Sequence, residues 1–220
     1  MKLDVLYENR FEDNRATKNG VWLEITKWMK RFWKSEYDSV VDVAAGYCEF
    51  INNFNVSENV RKYAFDANPD LQKCASEGIK TIVDTTDNLS KYFEKDSVSV
   101  FFMSNFLEHI EKSQIEKLFA DTFDILKKGG QLWILTPNIK YVGGKYWDFF
   151  DHITPITDEA LIEAAKMYGY TPVTTVKRFL PFTTKSSLPQ SQWIVGLYLK
   201  LMPLSGFFFG EQSFLIMEKK

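Results

Sequence analysis

Apolar residues follow two rhythms along the chain, and the change from one to the other predicts where helices and strands lie. After a polar, charged stretch over residues 7–19, Trp22, Ile25, Met29 and Phe32 recur at helical spacing and predict a helix over roughly 17–33. Its basic residues Lys27, Lys30, Arg31 and Lys34 fall late, where positive charge meets the negative end of the helix dipole. Short, continuously apolar runs then alternate with helical or loop patterns. Residues 39–44 read as a strand, followed by a turn at Gly46 and a helix to about Phe54; residues 62–66 read as a second strand, with Pro69 opening a helix to about Ala75. Residues 81–84 and 97–103 continue the series as strands three and four. A helix over 114–126, stopped by Gly129-Gly130, leads into a fifth strand over 131–136 that Pro137 closes. Further on, 157–168 reads as a helix, 171–178 as β-rich and 213–217 as a last strand. Apolar strands separated by helices imply a parallel sheet covered on both faces. The predicted fold is α/β and Rossmann-like, with a seven-stranded, mostly parallel sheet, helices on both faces and an antiparallel C-terminal strand pair.

Composition narrows the classes of function. With 220 residues, of which 45% are apolar and 25% charged, the chain is long enough for a core without staples, and disorder and collagen-like structure are excluded. One domain over 1–220 is expected, with 1–35 as an N-terminal helix and lid; Tyr7 and Arg10 are the residues placed to fold over a ligand. Twenty-seven basic residues against 29 acidic ones give a net charge of -2, which supplies no overall positive field for phosphates. No nucleic-acid partner is expected. Cys48 and Cys74 are too few for a disulfide framework, and residues 1–8 lack a basic region followed by an apolar run, so a reduced, cytoplasmic protein is expected.

The first strand and its turn carry the clearest chemistry. The segment Val40-Val41-Asp42-Val43-Ala44-Ala45-Gly46-Tyr47-Cys48-Glu49 puts an acid in a strand, then small residues, then a helix start, so that backbone N–H groups can approach a ligand. Asp66 follows at the end of the second strand, where a carboxylate can accept hydrogen bonds from both ribose hydroxyls of an adenosine-containing ligand. A dinucleotide site would want glycine at 44, 46 and 49; the sequence offers Ala44, Gly46 and Glu49. Glu49 would repel a pyrophosphate and tolerate an ammonium or sulfonium group. A cationic cofactor fits better than a dinucleotide, which sets a dehydrogenase aside.

Here the chain resembles the class I S-adenosylmethionine-dependent methyltransferases, in the small-molecule branch with a Leu-Glu-His signature. The family's glycine-rich turn corresponds to residues 42–49, its ribose-binding acid to Asp66 in Tyr63-Ala-Phe-Asp-Ala-Asn-Pro69, and its residue pair near adenine to Asp84-Thr85. Residues 98–110, ending Asn105-Phe-Leu-Glu-His-Ile110, and residues 126–138 resemble its fourth and fifth strands with their flanks. Together these cover about 36–170. The resemblance implies S-adenosyl-L-methionine as cofactor, held by Asp42, Ala44, Gly46, Tyr47, Asp66, Ala67, Asp84, Thr85 and Asn105. Ala44 and Cys48 stand where the family usually carries glycines, whereas Gly46, the residue most in need of a positive φ, is kept. Asn105 is placed for the cofactor's amino-acid end; a turn-forming side chain is its alternative role.

A hydroxyl acceptor needs its proton removed, and the chain has two histidines, His109 and His152, whose ordinary pKa suits a general base near neutrality. Either is a candidate catalytic residue. The alternative is that Leu-Glu-His orders a loop and that Asp151-His152 caps the segment after it. Glu108, His109, Asp151 and His152 invite comparison with a metal site, but adjacent residues usually point apart and no ligand spacing on one helix face supports it, so no metal is expected.

Residues 171–210 contain no Asp or Glu, four basic residues (Lys177, Arg178, Lys185, Lys200) and seven aromatics. Lys200 and Pro203 interrupt a stretch that only just has the length to cross a bilayer. Four roles stay open: a cap over the substrate pocket, a peripheral membrane or lipid-substrate contact, a homodimer interface, and a buried extra helix. Residues 188–214 resemble the C-terminal part of methyltransferases found with bacterial surface-polysaccharide enzymes, which implies a sugar or lipid-linked sugar substrate. The function expected is methyl transfer to an oxygen, secondarily a nitrogen, of a sugar or glycan intermediate. A lipophilic quinol or phenol is the alternative acceptor, and a non-catalytic cofactor-binding partner subunit the alternative from another class.

Overall fold

The computed structural model describes residues 15–181 and 191–220, with side chains described from Lys18 onward. Tyr7, Arg10 and Lys185 lie outside the described residues. Seven strands, β1 (Ser39–Val43), β2 (Arg61–Asp66), β3 (Ile79–Val83), β4 (Val98–Ser104), β5 (Leu126–Pro137), β6 (Tyr170–Val176) and β7 (Gln212–Lys219), form one sheet. Its order is β3-β2-β1-β4-β5-β7-β6. The first five strands are parallel, and β7 runs antiparallel to both β5 and β6, as the apolar runs predicted.

Eight helices are described: α1 (Arg15–Met29), α2 (Glu49–Asn53), α3 (Leu71–Cys74), α4 (Lys112–Ile125), α5 (Ile139–Val142), α6 (Asp158–Met167), α7 (Gln192–Lys200) and α8 (Leu204–Phe209). Alternation along the strands divides the core in two. Val40, Val100, Phe102, Trp133 and Phe214 face Ile25, Trp28 and Met29 of α1 and Phe50 of α2. Val41, Val43, Phe101, Ile134 and Leu215 face Leu118 and Phe119 of α4 and Leu161 of α6. Caps set the helix starts: Glu111 and Gln114 make a capping box on α4, and the Thr157 hydroxyl accepts from the Ala160 amide on α6. At the end of α1 the late basic charge has a definite use, Arg31 Nε donating to the Trp28 carbonyl at 2.9 Å.

Two expectations change. The fifth strand begins at Leu126, directly after α4, and Gly129-Gly130 lie inside it rather than ending a helix. Leu126 pairs with Val98, residues 127–130 bulge out, and pairing resumes between Gln131 and Val100. The insertion also departs from a helix buried all round. In α7 Val195 and Leu199 turn into the core, while Trp193 and Leu197 face solvent.

The base of the insertion is tied to the sheet by Phe179 N–H on the Gln212 carbonyl (2.6 Å) and by Gln212 N–H on the Leu180 carbonyl (2.9 Å). Behind it α8 lies so close to Arg178 that a Cβ on Gly206 would stand 2.2 Å from the Arg178 carbonyl oxygen, an approach only glycine permits. Because β6 ends and β7 begins where the parallel strands finish, the insertion hangs at the carboxyl end of the sheet. Among the described residues, no helix is long and apolar enough to cross a membrane.

Candidate active site

The strand order reverses between β1 and β4, and the crevice at such a reversal is where open α/β sheets bind ligands. The turn leaving β1 is left-handed at three alternate residues: Ala44 (φ 56°), Gly46 (φ 54°) and Cys48 (φ 62°). Gly46 meets the expectation, and Ala44 and Cys48 adopt the same conformation despite their side chains, at a cost of about 1–2 kcal/mol each. Asp66 holds the turn in this shape: its Oδ2 accepts from the Gly46 amide at 2.8 Å and its Oδ1 from the Asn68 amide at 2.8 Å. Each oxygen keeps a second lone pair for a ligand hydroxyl. A Cβ added to Gly46 would meet no atom of the described residues within 4 Å, which leaves space over the turn of the kind an adenosyl group requires.

The electrostatics of the turn are acidic. Asp42 is buried, and its pKa is raised well above the ordinary carboxylate range by that burial and then by the neighbouring Glu49 and Asp66. The carboxylates of Glu49 and Asp66 oppose a pyrophosphate and favour a cation. Burial likewise pushes up the Cys48 thiol, which keeps it unreactive. Ala44, Gly46, Tyr47, Asp66 and Asp84 are half-buried and Ala67, Thr85 and Asn105 exposed, at the carboxyl ends of β1 to β4; Asp42 alone of the expected cofactor residues is buried, beneath the turn. The Asp84 amide donates to the Asp66 carbonyl at 3.1 Å, bringing the expected adenine and ribose residues side by side. Asn105 is left-handed (φ 49°), and its Oδ1 accepts from Gln212 Nε2 at 2.9 Å, which ties the turn after β4 to β7.

The histidines meet across a staple. After β4 a 3-10 turn spans Leu107–His109, and the Glu108 carbonyl accepts from the amides of Ile153 (2.9 Å) and Thr154 (3.2 Å). The Thr154 hydroxyl adds a bond to the Ile110 carbonyl at 2.6 Å. His109 and His152 thereby stand edge to face, with 4.9 Å between ring centroids. His109 Nδ1 lies 3.1 Å from the Asp151 carbonyl and 3.3 Å from Asp151 Oδ2, while His152 stacks on Phe149 at 4.8 Å and tilts against Tyr146 at 4.6 Å. Glu108 is buried; its Oε2 accepts from the Thr136 hydroxyl at 3.0 Å, and burial raises its pKa. The expectation that Glu108 and His109 point apart does not hold, because the tight turn leaves Glu108 Oε1 3.9 Å from His109 Nε2. Glu108, His109 and His152 each offer a donor atom within 4.8 Å of the others. Sequence reading missed Thr136, Tyr146 and Phe149 as members of this wall, since none belongs to a motif with His109.

Comparison with known proteins agrees with this geometry. Residues 41–134, from β1 into β5, match the family described as a methyltransferase domain. No curated protein sequence matches the chain. Among solved structures, a SAM-dependent methyltransferase from Archaeoglobus fulgidus is 16% identical with a TM-score of 0.67, each chain covered to 100%. A chain of the complex between the Haloferax volcanii Trm112 methyltransferase activator and its methyltransferase partner is 15% identical with a TM-score of 0.67, covering 99% of this chain and 93% of that one. The geranyl diphosphate C-methyltransferase of Streptomyces coelicolor, in complex with magnesium, geranyl diphosphate and S-adenosyl-L-homocysteine, is 15% identical with a TM-score of 0.58, covering 83% of this chain and 74% of that one. These likenesses define the class I methyltransferase fold. With the domain match over its cofactor strands, the chain is an enzyme, a methyltransferase whose cofactor is S-adenosylmethionine.

Proposed function

We propose that this enzyme methylates an oxygen of a sugar or glycan intermediate carried at a membrane surface. The observation behind the reading is the imidazole pair, His109 and His152, standing past the ends of β4 and β5 with His109 oriented by Asp151. S-adenosylmethionine, when bound, supplies an electrophilic methyl group on a sulfonium. Asp66 and the turn after β1 would hold its adenosine, Asp84 and Thr85 would lie beside the adenine, and Asn105 would meet its amino-acid end. An acceptor hydroxyl lined up with that methyl group would take it by in-line displacement, with the bond to sulfur given up to the sulfur, and one of the two imidazoles, His109 or His152, would receive the hydroxyl proton. A hydroxyl needs this help; a neutral amine does not, which favours oxygen over nitrogen.

The membrane part of the reading rests on α7, α8 and the link between them. Trp193, Leu197, Leu201, Leu204 and Phe207 to Phe209 are 51–70% exposed, beside Lys200 and Arg178 in a stretch without acids. Aromatic and basic side chains together suit an anionic bilayer surface. A lipophilic quinol or phenol is the second reading, favoured by Trp147 and Phe150, exposed on the segment leading to His152, and by the geranyl diphosphate acceptor of a structural neighbour.

Labelled cofactor offered with nucleotide sugars, with a lipid-linked glycan fraction and with a quinone-rich lipid extract decides between them. Label in the glycan fractions is expected. Label only in the quinol or phenol fraction transfers the case to the second reading, and no label anywhere from protein that binds S-adenosylhomocysteine sinks both. Co-sedimentation with phosphatidylglycerol vesicles tests the surface; a concentration-dependent doubling of mass without vesicle binding would replace the membrane by a second copy.

A further inference from the structure

Glu108 is a buried acid with one oxygen left bare. Oε2 has the Thr136 hydroxyl at 3.0 Å, whereas Oε1 has no hydrogen-bond partner among the described residues although the residue is only 1% exposed. A carboxylate oxygen in that position is costly unless a proton or a cation meets it. Two imidazoles stand beside it: His109 Nε2 lies 3.9 Å away, and a nitrogen of His152 completes a set of three donor atoms all within 4.8 Å.

The tautomer of His109 suits coordination. Both groups facing its Nδ1, the Asp151 carbonyl at 3.1 Å and Asp151 Oδ2 at 3.3 Å, are acceptors, so the ring proton sits on Nδ1 and the Nε2 lone pair is left toward Glu108. A carboxylate behind a histidine in this way fixes ring orientation and strengthens the ligand. The segments bearing the three donors are pinned to each other by the Glu108 carbonyl, which accepts from Ile153 and Thr154.

We propose that Glu108, His109 and His152 bind a divalent transition-metal ion of the zinc type, with Asp151 as the positioning residue. Two imidazoles and one carboxylate are borderline donors that suit such an ion, whereas magnesium and calcium prefer all-oxygen sets. Bonds of about 2.0–2.2 Å put tetrahedral donors roughly 3.3–3.6 Å apart, so the side chains draw inward by about an ångström or less on binding. Three protein ligands leave a fourth position, as at catalytic zinc sites. If methyl transfer to oxygen holds, that position takes the acceptor hydroxyl and eases loss of its proton to water, since the ion then occupies nitrogens that serve as base in the metal-free protein. The binding site itself does not rest on that reading.

The test uses metal-depleted full-length protein without S-adenosylmethionine, titrated with zinc(II) by calorimetry and with cobalt(II) by visible absorption. One ion per chain and the intense visible bands of four-coordinate cobalt are expected. Glu108→Gln and His152→Gln should each abolish the bands, and Asp151→Asn should weaken zinc binding about 10- to 100-fold. Circular dichroism of each variant shows whether it has folded; if Glu108→Gln has not, His152→Gln and the wild-type spectrum still decide. Absence of stoichiometric binding by the wild type, or bands unchanged in a folded variant lacking a ligand, overturns the site. Protein that binds S-adenosylhomocysteine and methylates an acceptor but takes up no cobalt would fail this inference and leave the methyl-transfer reading standing.

Discussion

The turn after β1 takes its shape from residues adjacent in sequence and from one carboxylate, Asp66, that clamps the Gly46 amide. The proposed acceptor wall is assembled from segments far apart in the chain, with Glu108 and His109 after β4, Thr136 in β5 and Asp151 and His152 beyond it. One is local, clamped by a single carboxylate and open to solvent; the other joins distant segments through main-chain and side-chain bonds and is largely buried. The contrast explains which substitutions each can absorb. A backbone cradle keeps its form when Ala44 and Cys48 replace glycines, because its contacts come from main-chain amides. A wall of interlocked side chains has no such latitude.

The sharpest way to break the comparison is to remove one of the two proposed bases from the wall. His109→Ala or His152→Ala should lower turnover about 100- to 10,000-fold with cofactor affinity unchanged, read by steady-state kinetics beside calorimetry. Full activity in both would leave an already ionised acceptor as the explanation. Next in size, Asp66→Ala should weaken S-adenosylhomocysteine binding by about 1.5–3 kcal/mol, as for a lost hydrogen bond to a charged group. Since Asp66 also clamps the turn, Asp66→Asn should recover part of that loss.

Smaller still, Ala44→Gly should relieve a left-handed alanine, a gain of about 1–2 kcal/mol, against roughly 0.4–1 kcal/mol of extra chain entropy when unfolded. The net is a modest rise in the midpoint of urea unfolding; a fall would show that the alanine methyl packs usefully. The last effect should shrink to nothing in acid. Burial raises the pKa of Asp42 in the folded protein, so its contribution is fully present below its ordinary value of 3.8 and is lost as pH rises through the folded value. The stability of Asp42→Asn relative to wild type should therefore climb with pH across that window, measured by denaturation at several pH values. A constant difference would mean that Asp42 does not titrate there.

Periodicity made the sheet legible because β1, β4 and β5 from Gly130 onward are largely buried on both faces and mostly apolar, whereas β2 and β3, toward the edge, are only partly buried. The fifth strand's start was misread since Gly129-Gly130 have the same signature whether they end a helix or shape a bulge. On the cofactor side Asp66 and Gly46 were visible because a turn and the following strand have a nearly fixed spacing. The acceptor wall was visible only as isolated histidines, because hydrogen bonds spanning 42 residues, such as His109 to Asp151, leave no local pattern. The insertion fell between. Its composition marked it as unusual, while the split of α7 into an inward face and an outward one depended on where α1 lay.

β7 lies between β5 and β6 although it follows both in the chain. On a ribosome β5 therefore emerges as a raw edge, with Leu132 and Ile134 beside unpaired amides, and β6 has nothing to join until β7 has been synthesised and threaded between them. For that interval the nascent chain is at its most adhesive, and a chaperone that shields strand edges would act there.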